Sequence, residues 1–319
     1  MCSSQAPFVR LLRIGRDRRI VGGAVKRCGA AAAWLLVSVV VVGVGCQTAP
    51  ARGAARDGVP SIAGEEVTFT NGALTLRGVV YKPAGPGPFP AVLYNHGSAP
   101  GMLNSQAFDA IGPRFAARGW VFFGPYRRGQ GLSMQAGPYM GDQLDAAMRR
   151  GGVPARTAEI VRLLEGDHLS DQLAALAWLR RASFVRPDAI AVAGNSFGGI
   201  ETVLGVEREP YCAAVDAAGA AETWSEALEL RAAMTRAVRN ARAPIFFFQA
   251  ENDFDLSPTR ELAAAMKDAG KPFESKIYPP FGSSPADGHS FAYRGSALWF
   301  DDVLRFLERH CPPARGAAN

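Results

Sequence analysis

The sequence predicts an α/β three-layer sandwich: a mostly parallel central sheet, an N-terminal antiparallel hairpin, and helices on both faces. Three observations carry this expectation. Two alternating β-type runs flank Asn71-Gly72-Ala73, a turn sequence that joins hairpins. Short apolar segments then alternate with helical stretches, the pattern of parallel strands joined by crossover helices. Those apolar segments are nearly continuous, which suits strands covered on both faces.

The hairpin strands are expected at 65–70 and 74–81, and a Pro/Gly-rich loop follows at 83–90. Further strands are expected at 91–95, 121–125, 190–194, 213–217, 244–250 and 273–278. Helices are expected at 106–117, 169–181, 197–206, 222–239, 258–269 and 295–309. Leu169, Leu173 and Leu176 repeat at helical spacing, as do Trp299, Val303 and Phe306. One interval breaks the rhythm, between the strand at 121 and the helix at 169. A connection that long is usually structured or functional. Two short helices, 141–149 and 155–164, are expected there, as a partial wall over a site at the strand ends; a plain surface insertion is the alternative.

Charge divides the chain. Residues 1–45 hold seven basic residues and one acid, whereas the remainder holds 28 of each sign. The net charge of +6 therefore belongs to the leader, and the rest gives no electrostatic case for binding nucleic acid. The leader has a basic stretch, 10–27, and then an uncharged apolar run of 16 residues, 30–45. That run is short for a spanning helix of about 20 residues and suits a secretory signal. Val44-Gly45-Cys46, followed by Gln47-Thr48-Ala49-Pro50, resembles a bacterial lipoprotein signal. The resemblance implies a cleaved signal peptide (1–45) and a lipidated Cys46; the plainer reading is an ordinary cysteine near a cleavage site. Residues 46–63 read as a flexible tether, 64–311 as one catalytic domain without internal repeats, and 312–319 as a disordered tail.

Gly194-Asn195-Ser196-Phe197-Gly198-Gly199 follows the strand at 190–194 and opens a helix. This is G-x-S-x-G in the strand–turn–helix setting it needs. A tight turn exposes the serine hydroxyl, and the helix N-terminus supplies N–H groups for developing negative charge. Ser196 is thus the candidate nucleophile. In this setting the acid and the base follow the nucleophile in the chain, which leaves His289 and His310. His310 ends an amphipathic helix and reads as a helix-end cation. His289 lies in a long loop, 281–289, before the last helix, and is the candidate base. Three carboxylates, Glu251, Asp253 and Asp255, follow the strand at 244–250 as candidates to orient it. His96-Gly97-Ser98 ends another strand; the amide of Ser98 or Gly97, with that of Phe197, forms the candidate oxyanion site. His96 reads as structural and His168 as a cap or wall residue. Arg127 and Arg128 read as paired or solvated, with recognition of a substrate carboxylate as the alternative.

Taken together, Asn95-His96-Gly97-Ser98, Tyr126-Arg127-Arg128-Gly129, Gly194 to Gly199, Glu251-Asn252-Asp253 and Gly288-His289 resemble the dienelactone hydrolase-like branch of the α/β-hydrolases, near the catalytic domain of prolyl oligopeptidases. The resemblance favours Asp253 as the acid. It implies a Ser-His-Asp hydrolase acting through an acyl-enzyme, with no cofactor and no metal, but it does not fix the substrate; carboxylic esters are the first expectation because short-chain ester cleavage needs no extended subsite. The expected partner is a small-molecule ester or short peptide, with no nucleic acid, and with membrane contact only through the leader. Dienelactone hydrolase proper uses a cysteine where Ser196 stands, so lactone cleavage does not carry over. Prolyl oligopeptidases carry a propeller for which the tether leaves no room, so a peptidase or amidase is the second expectation. A catalytically silent scaffold used for binding is the third. Cys212 and Cys311 both belong at the end of the sheet opposite the site, where they pair or stay as two thiols.

Overall fold

A computed structural model describes residues 62–98 and 106–311, all within one unit, Gly53–Asn319. The expected signal peptide, Cys46, nearly all of the tether and the 312–319 tail lie outside the described residues. Among the described residues no helix is long and apolar enough to cross a membrane.

The hairpin pairs β1 (Glu65–Asn71) with β2 (Leu74–Tyr81), with Gly72 and Ala73 at the turn. Asn71 is the last residue of β1, and its amide ties the hairpin to Asp171 at 2.7 Å. Six strands follow: β3 (Phe89–Asn95), β4 (Val121–Pro125), β5 (Val185–Asn195), β6 (Ala214–Ala217), β7 (Ile245–Ala250) and β8 (Phe273–Tyr278). The sheet order is β1-β2-β4-β3-β5-β6-β7-β8. Only the pairs involving β2 are antiparallel; β4 through β8 run parallel. This is the α/β-hydrolase three-layer sandwich.

The period of two along each strand divides the core. Leu93, Val192 and Phe247 face one side, with Ile200, Leu176 and Leu262 of α4 (Phe197–Arg208), α3 (Asp167–Arg181) and α6 (Ser257–Asp268). Val92, Ala193 and Phe248 face the other, with Phe108 of α1 (Gln106–Ala117) and Trp299 and Phe306 of α9 (Ser296–His310). Parallel strands joined by such crossovers all point their C-terminal ends to one edge, where the functional loops collect.

Four elements differ from expectation: β5, expected at 190–194, already begins at Val185, and three others depart as well. The interval after β4 opens with a 3-10 helix (Gly131–Ala136) and continues as α2 (Met140–Glu165). The two expected helices follow one another directly there, across a kink at Gly151 and Gly152, where Gly152 takes φ 66°. The helix expected from 222 starts only at Leu228, as α5 (Leu228–Arg239). Ala218 and Ala220 adopt φ 60° and 66°, and buried Trp224 pins the chain into turns before the helix restarts. Apolar spacing alone does not reveal such a break, because a run of turns carries the same helical period. The loop at 281–289 contains α7 (Pro285–His289), and α8 (Phe291–Arg294) follows it. Ser284 caps α7 reciprocally with Asp287, and Pro285 stands in its first turn.

Candidate active site

Ser196 joins β5 to α4 with φ 53° and ψ −122°. A side chain in that region costs about 1–3 kcal/mol and persists only where its surroundings over-determine it. Here they do. The Ser196 amide donates to the Ala217 carbonyl at 2.9 Å, and its carbonyl accepts from the Gly199 amide at 2.9 Å. Gly198 is required by contact: a Cβ there would stand 2.0 Å from the Asn95 carbonyl oxygen. The close approach brings the ends of β3 and β5 and the start of α4 together around the hydroxyl.

His289 lies within hydrogen-bonding distance of Ser196 although 93 residues separate them. The Ser196 hydroxyl donates to Nε2 at 2.9 Å, and Nδ1–H donates to Asp253 Oδ1 at 2.8 Å. Asp253 is inaccessible to solvent at its side chain. It also accepts from the Gln249 amide at 2.9 Å and from the Phe254 N–H at 2.7 Å. Of the three candidate carboxylates, Asp253 is the one bonded to the imidazole. Asp255 instead accepts from the Ser257 N–H at 2.8 Å, at the start of α6, and Glu251 is exposed.

Asn252 locks the segment that carries His289. Its Nδ2 donates to the carbonyls of Phe281 at 3.0 Å and Ser284 at 2.9 Å, and its Oδ1 accepts from the Phe281 N–H at 2.8 Å. Gly288 allows α7 to lie flat on this loop, since a Cβ there would meet the Asp253 nitrogen at 2.7 Å. Burial works to lower the pKa of His289. The hydrogen bond and charge of Asp253, with the charge of Glu222, outweigh it and raise the pKa above the ordinary value.

Two cavities flank the hydroxyl. One, of about 240 Å³, is lined by Ser98, Met140, Leu144, Arg156 and Ile160 beside Ser196. Four of those residues come from α2, so the long interval does form a wall over the site. The other cavity, of about 260 Å³, is lined by Phe254, Ala286, His289, Ser290 and Tyr293 beside Ser196. Glu222 borders both, with Oε2 at 3.7 Å from His289 Nε2. Gly97 and Ser98 line the second cavity together with Ser196, and the Tyr139 hydroxyl donates to the Ser98 carbonyl at 3.2 Å. Sequence reasoning missed Glu222, Gln249 and Asn252. Asn252 had a signal, its place in the Asn-Asp loop; Glu222 had none.

His168 does not cap a helix: it is fully buried, its ring 5.6 Å from that of Phe197, and burial pushes its pKa well down. His310 ends α9, where burial, then the neighbouring Arg309, lowers its pKa. Arg127 pairs with Glu201 at 2.7 Å, and Arg128 with Asp171 at 2.7 Å and Asp167 at 2.8 Å. Cys212 and Cys311 are joined in a disulfide, at the N-terminal side of β6 and the C-terminal end of α9. Among the described residues no group of three or more His, Cys, Asp or Glu side chains is arranged to hold a metal ion.

Residues 76–303 match the family model of the dienelactone hydrolase family. Among solved structures, Pyrococcus horikoshii acylaminoacyl peptidase superposes with a TM-score of 0.57 at 16% identity, covering 78% of this chain and 42% of the peptidase. A Klebsiella pneumoniae protein described as a dienelactone hydrolase gives 0.56 at 16% identity, covering 78% of this chain and 99% of its own. A Mycobacterium tuberculosis puromycin-hydrolyzing peptidase gives 0.54 at 19% identity, covering 78% of this chain and 40% of its own. At these identities the likeness is one of fold. The chain spans about two fifths of the length of the two peptidases. No curated protein sequence matches it.

Proposed function

The chain belongs to the dienelactone hydrolase family of α/β-hydrolases, and from that premise we propose that it is an exported serine hydrolase that cleaves carboxylic esters. The observation that carries the reading is the hydrogen-bonded series Ser196–His289–Asp253, at 2.9 Å and 2.8 Å. His289 Nε2 takes the hydroxyl proton as Ser196 Oγ attacks the acyl carbon. Asp253 holds the tautomer with Nδ1 protonated and stabilises the imidazolium. The amides of Phe197 and of Ser98 or Gly97 receive the tetrahedral oxyanion. The imidazolium then protonates the departing alkoxide, leaving an acyl-enzyme. A water, deprotonated by the same imidazole, attacks the acyl carbon; collapse releases the acid and returns the proton to Ser196.

Ester cleavage is placed ahead of peptide cleavage because a short ester needs no extended subsite; the two cavities, about 240 and 260 Å³, can hold a short acyl group and a small leaving group. Export is supported by the basic-apolar leader and by the Cys212–Cys311 disulfide, a bond that persists in oxidising compartments. On this reading Cys46 carries the lipid, and palmitate labelling of the wild type that disappears in Cys46→Ser checks it. A fluorophosphonate probe is expected to label the wild type and not Ser196→Ala; equal labelling of both would reject the nucleophile. Turnover of p-nitrophenyl acetate is expected to exceed that of peptide anilides, and the reverse preference would make the protein a peptidase.

A further inference from the structure

Arg127 is a charged residue with no direct access to the cleft. It is 3% exposed, its partner Glu201 is 1% exposed, and neither takes part in the chemistry described above. What Arg127 does is visible in its bonds. Nη1 donates to the His96 carbonyl at 2.7 Å and Nη2 to the Gly97 carbonyl at 3.0 Å. Nη1 also donates to Glu201 Oε2 at 2.7 Å, and Nε to Gln130 Oε1 at 3.0 Å. The guanidinium carbon lies 5.2 Å from the centre of the Phe197 ring.

Those contacts reach both halves of the candidate oxyanion site. The carbonyls of His96 and Gly97 belong to the peptide units whose nitrogens are the Gly97 and Ser98 amides. Because a peptide unit is planar, holding its carbonyl sets the direction of its N–H. Glu201 lies one helical turn after Phe197 on α4, so the ion pair ties Arg127 to the helix that presents the second amide. The Phe197 ring is further held by the His168 ring on α3, which burial keeps neutral beside this arginine. A buried ion pair is seldom kept for its own stability, since desolvation offsets most of the attraction. A planar five-donor fork can bind two carbonyls and a carboxylate at once, and an ammonium cannot do so with the same geometry.

Resting on the serine-hydrolase reading, we infer that Arg127 is the positioning residue of the oxyanion site, holding the loop amides of Gly97 and Ser98 in fixed register with the Phe197 amide. It touches neither substrate nor the triad. Its contribution therefore appears in transition-state binding and not in substrate affinity.

The experiment compares wild type, Arg127→Lys, Arg127→Met and Glu201→Gln on p-nitrophenyl acetate and against a trifluoromethyl ketone, whose serine adduct carries the oxyanion. Arg127→Lys and Arg127→Met are expected to lower kcat about 100-fold, the effect of losing one oxyanion donor. KM is expected to stay within about three-fold, and ketone affinity to fall by the same factor as kcat/KM. The pH at which activity half-disappears on the acid side is expected not to move, since His289 and Asp253 are untouched. Glu201→Gln leaves the carbonyl bonds in place; its expected loss is smaller, and it serves if the Arg127 variants do not fold. Ketone affinity within two-fold of wild type in a folded Arg127 variant overturns the proposal, as does a Glu201→Gln protein indistinguishable from wild type where only that variant folds. A wild type that neither hydrolyses the ester nor binds the ketone overturns the serine-hydrolase reading itself, and the positioning role falls with it.

Discussion

At the scale of single residues, the two candidate acids differ in the direction they face. Asp253 and Asp255 are two positions apart, yet one accepts from His289 Nδ1 and the other from the Ser257 amide. Asp253→Asn is therefore expected to lower kcat about 10⁴-fold by presenting the wrong tautomer, and Asp255→Asn to change it little beyond weakening the start of α6. The reverse ranking in steady-state kinetics would assign the acid to Asp255. Glu222 acts on the same imidazole from its other nitrogen, at 3.7 Å. Attack needs neutral imidazole, and the raised pKa keeps His289 protonated to a higher pH, so kcat/KM is lost as pH falls through a value above 6.5. Glu222→Gln removes one of the charges that hold the proton. The acid limb is expected to shift to lower pH, and less so at high salt, because Glu222 is 53% exposed. A pH–rate profile with an unmoved acid limb would remove Glu222 from the electrostatics of the site.

At the scale of elements, each site residue depends on how its segment is ended or entered. The turn between β5 and α4 places Ser196, and the capped α7 places His289. The clamp from Asn252 to Phe281 and Ser284 joins the acid's loop to the base's helix. Asn252→Ala frees two carbonyls and one N–H. We expect a stability loss of about 1–3 kcal/mol and a drop in kcat exceeding the change in KM, since only the orientation of the imidazole suffers. Thermal denaturation with steady-state kinetics measures both; unchanged kcat would mean that α7 holds its place without the clamp. The long interval expected as a partial wall becomes α2, which turns Leu144 and Ile160 inward against the cavity as a plain surface insertion would not.

At the scale of the molecule, the active cleft lies at the C-terminal edge of the parallel strands and the disulfide at the opposite side of the sheet. The disulfide spans 99 residues between β6 and α9. Closing a loop of that length constrains the unfolded chain and typically contributes about 2–4 kcal/mol. The double variant Cys212→Ser, Cys311→Ser is expected to melt earlier while keeping its kcat, because the bond lies at the far end of the buried strands from the cleft. An equal Tm in calorimetry would show that the bond contributes nothing to stability.

The order of strands and helices, the hairpin and the sharp turn at Ser196 follow from the sequence by itself, because each depends on a local signal: alternation, an Asn-Gly turn, glycines two places either side of a serine. Motif order pointed to His289, and resemblance to Asp253, without any distance. Tertiary structure alone decided what meets what. Arg127 finds Glu201 across 74 residues, Glu222 reaches the imidazole because the chain turns before α5 restarts, and Cys212 finds Cys311. Such pairings depend on crossovers that bring distant strand ends to one edge, and no short window of residues carries that information.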